Sequence, residues 1–286
     1  MKVNFDYREA FSRNIGWLTE SEQQTLQGKR IAIAGLGGVG GSHLLTLSRL
    51  GVGCFNISDL DHFELANMNR QAGASMSTLG EEKITVLERQ AKDINPDLNI
   101  KRFSQGVSLE NLDSFLEGVD VYVDALDFFQ IDIRRAVFAA CYAKGIPAIT
   151  AAPIGMGTAV LNFLPGKMSF EDYFQLEGRG KLEQYIRFLA GLAPSMVHAN
   201  YIVDESRVDF VNKKGPSTPM ACELCAGMAA TQALKVLLNR GQVVTAPYGL
   251  HFDAYRNKFK KTWRPGGNAN LLQRILIWLI KRRLGC

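Results

Sequence analysis

Nothing in this sequence approaches the ~20 consecutive apolar residues that a membrane-spanning helix requires. Its first residues, Met1-Lys2-Val3-Asn4-Phe5-Asp6, contain no apolar core of a secretory leader, so none is expected. Cysteine is scarce: the five sit at 54, 141, 222, 225 and 286, an odd number without extracellular spacing. Reduced thiols in the cytoplasm are the expectation. The four histidines (43, 62, 198 and 251) are dispersed, which reads as structural or exposed positions rather than a metal cluster. Collagen-like, repeat and low-complexity readings are excluded by 27 Gly, 9 Pro and the absence of any internal period. A P-loop is also absent, because Gly40 is followed by Gly41-Ser42 and not by Lys.

What is present is a folded chain. Over 286 residues, 47% are hydrophobic and 21% charged, enough for an ample core. At ~150 residues per domain the length fits two small domains or one large one. The net charge of +5 conceals an asymmetry. Residues 256–286 hold nine Lys/Arg and no Asp or Glu, so the remaining body is mildly acidic.

Short apolar runs alternate with helical periodicity. Residues 30–34, 54–58, 119–123 and 146–150 read as strands, and residues 43–50, 81–94 and 131–144 as helices. Thr19-Glu20-Ser21-Glu22 fits a capping box that opens an earlier helix, with Gly28 as its stop. This alternation predicts an α/β fold, a doubly wound and mostly parallel Rossmann-like sheet that binds ligands at the carboxyl ends of its strands. Residues 157–164 alternate like a half-exposed strand, and Pro219 opens a long helix to about residue 239. The expected organisation is an N-terminal helical segment (1–28), a principal domain (29–255) with a crossover insertion at about 166–218, and a basic, apolar tail (256–286).

Gly35-Leu36-Gly37-Gly38-Val39-Gly40 follows the first strand and precedes a helix, the setting of a G-x-G-x-x-G phosphate turn. Asp59 lies after the second strand, where a carboxylate accepts ribose hydroxyls. Those features alone also suit a nicotinamide oxidoreductase. The loop beyond them does not: Asp59-Leu60-Asp61 leads to Asn67-Met68-Asn69-Arg70-Gln71. A triphosphate carries roughly four negative charges and needs cationic clamps. Arg70 and Lys83 offer two, and Asp127, past the fourth strand, offers a hard carboxylate for Mg²⁺.

This set resembles the ThiF/MoeB/HesA superfamily, bacterial relatives of ubiquitin-activating enzymes. The likeness rests on Ser12-Arg13-Asn14, GLGGVGG, the D-x-D…N-x-N-R-Q loop, Lys83 and Asp127, in order and at matching spacings. Asn14 stands where the family has Gln. The resemblance implies nucleotide contacts from Gly35, Gly37, Gly38, Gly40, Asp59, Asp61, Asn67 and Gln71. It implies catalytic roles for Arg70, Lys83 and Asp127 (the last also as the magnesium ligand), and for Arg13 in the partner subunit's site of a homodimer. The implied reaction is ATP-dependent adenylation of a carboxylate, the C-terminus of a small protein or peptide, with release of pyrophosphate. A dehydratase acting on threonylcarbamoyl-adenosine in tRNA, a nicotinamide oxidoreductase and a non-catalytic adaptor of the same fold are the alternatives.

Many relatives hold zinc with two C-x-x-C pairs, whereas this chain has only Cys222-Glu223-Leu224-Cys225. Zinc is not expected, and the pair reads as small buried residues at i and i+3 of a helix, with an activated thiol as the alternative. Residues 153–221 contain no Cys, so a thioester step lacks support, with Cys222 the one nearby thiol. Gly155 and Gly157 fit either a close-lying acceptor tail or a tight internal turn. Residues 271–280 are apolar at eight of ten positions and precede Lys281-Arg282-Arg283. Docking on this protein, peripheral insertion at the inner face of the membrane, and partner or RNA binding all fit that pattern.

Overall fold

The computed structural model describes residues 4–210 and 212–283. Its frame is one eight-stranded sheet: β1 (Arg30–Ala34), β2 (Cys54–Ser58), β3 (Asn99–Phe103), β4 (Val121–Asp124), β5 (Ala148–Ile154), β6 (Gly157–Phe163), β7 (Tyr248–Asp253) and β8 (Lys258–Trp263). The spatial order is β3-β2-β1-β4-β5-β6-β7-β8. Strands β1 to β5 pair in parallel, and β6, β7 and β8 extend the sheet in antiparallel fashion. The strand order reverses between β1 and β4, which places a crevice at their carboxyl ends.

Among the described residues, ten helices cover the sheet: α1 (Tyr7–Ala10), α2 (Glu20–Gln27), α3 (Gly40–Arg49), α4 (Lys83–Ile94), α5 (Leu112–Phe115), α6 (Ile131–Ala143), α7 (Phe170–Phe174), α8 (Lys181–Leu192), α9 (Pro219–Leu237) and α10 (Leu271–Arg283). The expected capping box opens α2, where Thr19 and Glu22 exchange side-chain and backbone bonds. Residues 31–34 of β1 are buried because both faces of the sheet are covered, which is why this strand reads as a continuous apolar run. Ile31 and Ile33 pack with Leu44, Leu87, Cys222 and Ala229 of α3, α4 and α9. Ala32 and Ala34 point the other way, toward Tyr122, Phe138, Phe170 and Phe188. Alanines on that face leave room for the aromatic rings.

The structure corrects two expectations and adds three strands. Residues 157–163, read as half-exposed, form β6 and are buried throughout. Helix α9 lies against one side of β5 and β6, and its buried alanines (Ala221, Ala226, Ala229, Ala230 and Ala233) permit that close approach. Strands β3, β7 and β8 carry no clear signal in the sequence. The two outer ones, Asn-Ile-Lys-Arg-Phe and Lys-Phe-Lys-Lys-Thr-Trp, are sheet edges whose lysines and arginines discourage further pairing. Helix α3 begins at Gly40, three residues before the apolar periodicity does, so the glycine turn feeds straight into a helix N-terminus.

Candidate nucleotide site

The site grows from the exit of β1. Gly35 has φ +88°, and a Cβ there would lie 2.4 Å from the Ala125 carbonyl oxygen. A Cβ on Gly40 would lie 1.9 Å from the Gly35 oxygen. The turn is therefore folded onto itself and onto the exit of β4, which only glycine permits. It presents the first N–H groups of α3 at the carboxyl edge of the sheet, where the helix dipole favours an anion.

Asp59 ties this turn to the next loop. Its carboxylate accepts from the Leu36 N–H at 2.6 Å and from the Asp61 N–H at 2.8 Å. Burial raises its pKa above the usual aspartate value, against those two bonds and the nearby Lys83 charge. Asp61 in turn holds Lys83, the first residue of α4, through its carbonyl oxygen (3.0 Å) and its carboxylate (3.1 Å). Lys83 is buried while Asp61 is exposed, so the ammonium lies inside the site and its counter-ion at the rim.

The loop after β2 supplies the remaining polar groups. The Asn67 carbonyl accepts from the N–H groups of Arg70 and Gln71, and its side chain accepts from the Glu64 N–H. Arg70 bonds the Ala66 carbonyl and Asn69, and its Nε lies 3.7 Å from where a Gly38 Cβ would be. The Gln71 Nε2 lies 3.6 Å from the same point on Gly37. Gln71 is buried, yet its Oε1 has no partner among the described residues. A glycine cradle beside a guanidinium and an unpaired amide fits a phosphorylated ligand.

Asp127 is held by a network that sequence reading missed. Arg134 of α6 and Asp124 at the end of β4 form a buried ion pair at 2.9 Å, each side chain at most 3% exposed. The same guanidinium donates to the carbonyls of Leu126, Asp127 and Phe128. Asp127 itself is exposed, and one of its oxygens accepts from the Phe129 N–H at 2.9 Å. Mg²⁺ is commonly bound by one or two carboxylates together with substrate phosphates, and Asp127 fits that donor set. Among the described residues no group of three His, Cys, Asp or Glu side chains is placed to hold a metal by itself.

Helix α9 flanks the turn. A Gly38 Cβ would meet Cys222 Sγ at 3.6 Å, Ser42 Oγ donates to Glu223 at 2.7 Å, and Asn69 donates to the Ser217 carbonyl. The only sequence signal for these contacts is the helix start at Pro219. Both cysteines of the pair are buried; Cys225 Sγ donates to Thr158 Oγ1, and burial raises both thiol pKa values.

The two glycines after β5 serve internal contacts. Gly155 has φ +62°, and its Cβ would fall 2.2 Å from the Tyr201 hydroxyl. That hydroxyl accepts from the Met156 N–H and donates to Asp253. A Gly157 Cβ would strike the Phe252 carbonyl on the neighbouring strand. Beside the Asp127 loop, a cavity of about 400 Å³ opens between α6, α8 and the crossover. Phe129, Tyr185 and Phe210 line it, with Lys181, Asp132 and Lys213 at its polar side.

Arg13 lies apart from these groups. The neighbouring Asn14 bonds Gln23 and the Leu50 carbonyl, at the end of α3 remote from the glycine turn. Ten helical residues at 1.5 Å each put that end ~15 Å away. Arg13 is exposed, beside exposed Ile15 and Trp17.

Comparison with known proteins points the same way. The sequence model of the ThiF family matches residues 11–270. A tRNA threonylcarbamoyladenosine dehydratase of Bacillus subtilis is 31% identical over 141 residues, covering 49% of this chain and 55% of that protein. The sulfur carrier protein ThiS adenylyltransferase of Escherichia coli is 31% identical over 143 residues, 50% of this chain and 56% of that protein. The chain thus spans about half the length of these curated relatives. Among solved structures, PaaA superposes with a TM-score of 0.69 at 16% identity, over 91% of this chain and 74% of that one. E. coli MccB with ATP superposes at 0.65 and 17% identity, over 91% and 73%. At such identities the likeness establishes the fold.

Proposed function

The chain belongs to the ThiF family, and from that premise we propose that it is an ATP-dependent adenylyltransferase that activates a carboxylate. The observation that carries this reading is the meeting of Arg70 and Gln71 with the open faces of Gly37 and Gly38, beside a buried Lys83. The acceptor carboxylate, already ionised at neutral pH, attacks the α-phosphorus of ATP. Pyrophosphate leaves and an acyl-adenylate forms. Arg70 and Lys83 hold the triphosphate and offset the charge that develops on the departing pyrophosphate. Asp59, Asp61 and Asn67 shape the ribose side, and the glycine turn meets the phosphates. Mg²⁺, held by Asp127, would neutralise phosphate charge.

The acceptor is a small protein or peptide tail, entering through the aromatic cavity next to the Asp127 loop. The names of the relatives support this class: one acts on the sulfur carrier ThiS, and MccB has been solved with MccA. Because Arg13 sits far from its own glycine turn, it completes the site of a second copy in a homodimer. The enzyme works in the cytoplasm, and residues 256–283 form a contact surface.

ATP–pyrophosphate exchange with a panel of acceptors, including peptide C-termini and threonylcarbamoyl-adenosine, tests the reading. Lys83→Met and Asp127→Asn should each lower exchange by ~100-fold, about 3 kcal/mol per lost electrostatic contact. Both should keep the wild-type melting temperature. Undiminished exchange in both variants, or thermal stabilisation by NAD(H) but not by Mg·ATP, would overturn it.

A further inference from the structure

Helix α10 is apolar on two opposite faces. Ile277, Leu276 and Ile280 pack on Ile186, Ala190 and Leu182 of α8. Gln273 donates to the Ala190 carbonyl, and Lys281 pairs with Glu183. That face fixes the helix to the body. The opposite face exposes Leu271 (68%), Leu272 (59%), Ile275 (47%), Trp278 (55%) and Leu279 (50%). At 100° per residue these five side chains fall within an arc of ~120°. Arg274 borders the arc, and Arg282 lies within it with its guanidinium 5.5 Å from the Trp278 ring. Across residues 256–283 there are nine Lys/Arg and no acid.

We propose that this face of α10 docks the protein on an anionic membrane surface, Leu271, Leu272, Ile275, Trp278 and Leu279 entering the headgroup region while Arg274 and Arg282 meet lipid phosphates. The inference is independent of the adenylation reading. Three observations choose the bilayer over other occupants. A second copy meeting this face about a two-fold axis would bring four arginines, Arg274 and Arg282 of each helix, to one apolar seam with no acid on either helix to pair with them. A nucleic acid would take the charge, but it has no use for four exposed aliphatic side chains. An anionic bilayer takes apolar residues, cations and an interfacial Trp together. The helix has 13 residues and is held along its length by α8, so it lies in the surface. Among the described residues no helix is long and apolar enough to cross a membrane.

Flotation of the full chain with vesicles tests this. Vesicles of phosphatidylcholine and phosphatidylglycerol at three to one should carry the protein, and phosphatidylcholine alone should not. Raised salt should release it. Arg274→Gln and Arg282→Gln should each lower partitioning about fivefold. Ile275→Asp with Leu279→Asp should abolish flotation while melting temperature and ATP–pyrophosphate exchange stay at wild-type values. Absence of flotation, or flotation undiminished in the double variant, overturns the proposal. So does a wild-type dimer that fails to float and that the double variant converts to monomer, which would assign the face to a second copy.

Discussion

Replacing Arg134 by Leu tests the physical account of the site most directly. The wild-type guanidinium pairs with Asp124 at 2.9 Å, and both groups are almost fully excluded from solvent. In the variant the Asp124 carboxylate stays buried and keeps, among the described residues, only the Tyr122 hydroxyl at 3.2 Å and the Leu126 N–H at 3.3 Å. Removing one partner of a buried ion pair costs ~3–5 kcal/mol, mostly the penalty of the charge left behind. Three carbonyls of the 126–128 loop also lose their donor. With a urea dependence of ~3 kcal/mol per M, the unfolding midpoint should fall by about 1–2 M. Exchange activity should fall too, because the loop that presents Asp127 loses its anchor. Arg134→Leu with Asp124→Leu should recover much of the stability, since a buried pair replaced by apolar groups is often neutral. It should not recover the activity, because the loop carbonyls remain unanchored. A midpoint shift below ~0.3 M in the single variant would refute the assignment of Arg134 as anchor.

The same geometry sets further outcomes. Burial holds the His43 imidazole uncharged, with both ring nitrogens unpartnered among the described residues and its pKa pushed down to about 3. The unfolded chain binds that proton below pH ~6.5 while the folded one does not, so stability is full above that pH and declines as pH falls toward 3. His198, pushed down to about 4, acts in the same direction over pH 6.5 to 4. His43→Leu should flatten the dependence of unfolding free energy, read from urea titrations, on pH between 6 and 4 by ~1.4 kcal/mol per pH unit, and an unchanged slope would contradict the assignment. Mixing Arg13→Ala with Lys83→Met subunits should restore exchange, because a mixed dimer has one intact site. Failure of the mixture to exceed either variant alone would remove Arg13 from the partner's site.

Several parts of this molecule could be read from local chemistry alone. The alternation of short strands and helices, the glycine turn after β1, Asp59 after β2 and the start of α9 at Pro219 are each set by a few adjacent residues. Glycine at positive φ, proline at a first helical turn and a period of two or 3.6 are local constraints that need no knowledge of the rest of the chain. Lys83, which opens a recognisable helix, and Asp127, just past a recognisable strand, could be placed for the same reason, whereas Arg70 and Gln71 lie in a loop and the role of Gln71 rested on the family resemblance.

Tertiary structure decided what depends on which elements meet. Arg134 is one arginine in a helix until β4 brings Asp124 beneath it. Gly155 suits an acceptor or a wall equally well in the sequence, and Tyr201, from a distant part of the chain, supplies the wall. Strand β6 looks half-polar, yet α9 and the aromatic layer cover both its faces. The distance of Arg13 from its own glycine turn follows from Asn14 docking at the far end of α3. The apolar pattern of α10 showed that part of it must be buried; only its packing on α8 showed which face remains in solvent. Periodicity is a property of neighbours along the chain, whereas burial and ion pairing belong to neighbours in space, and the chain's path alone sets those.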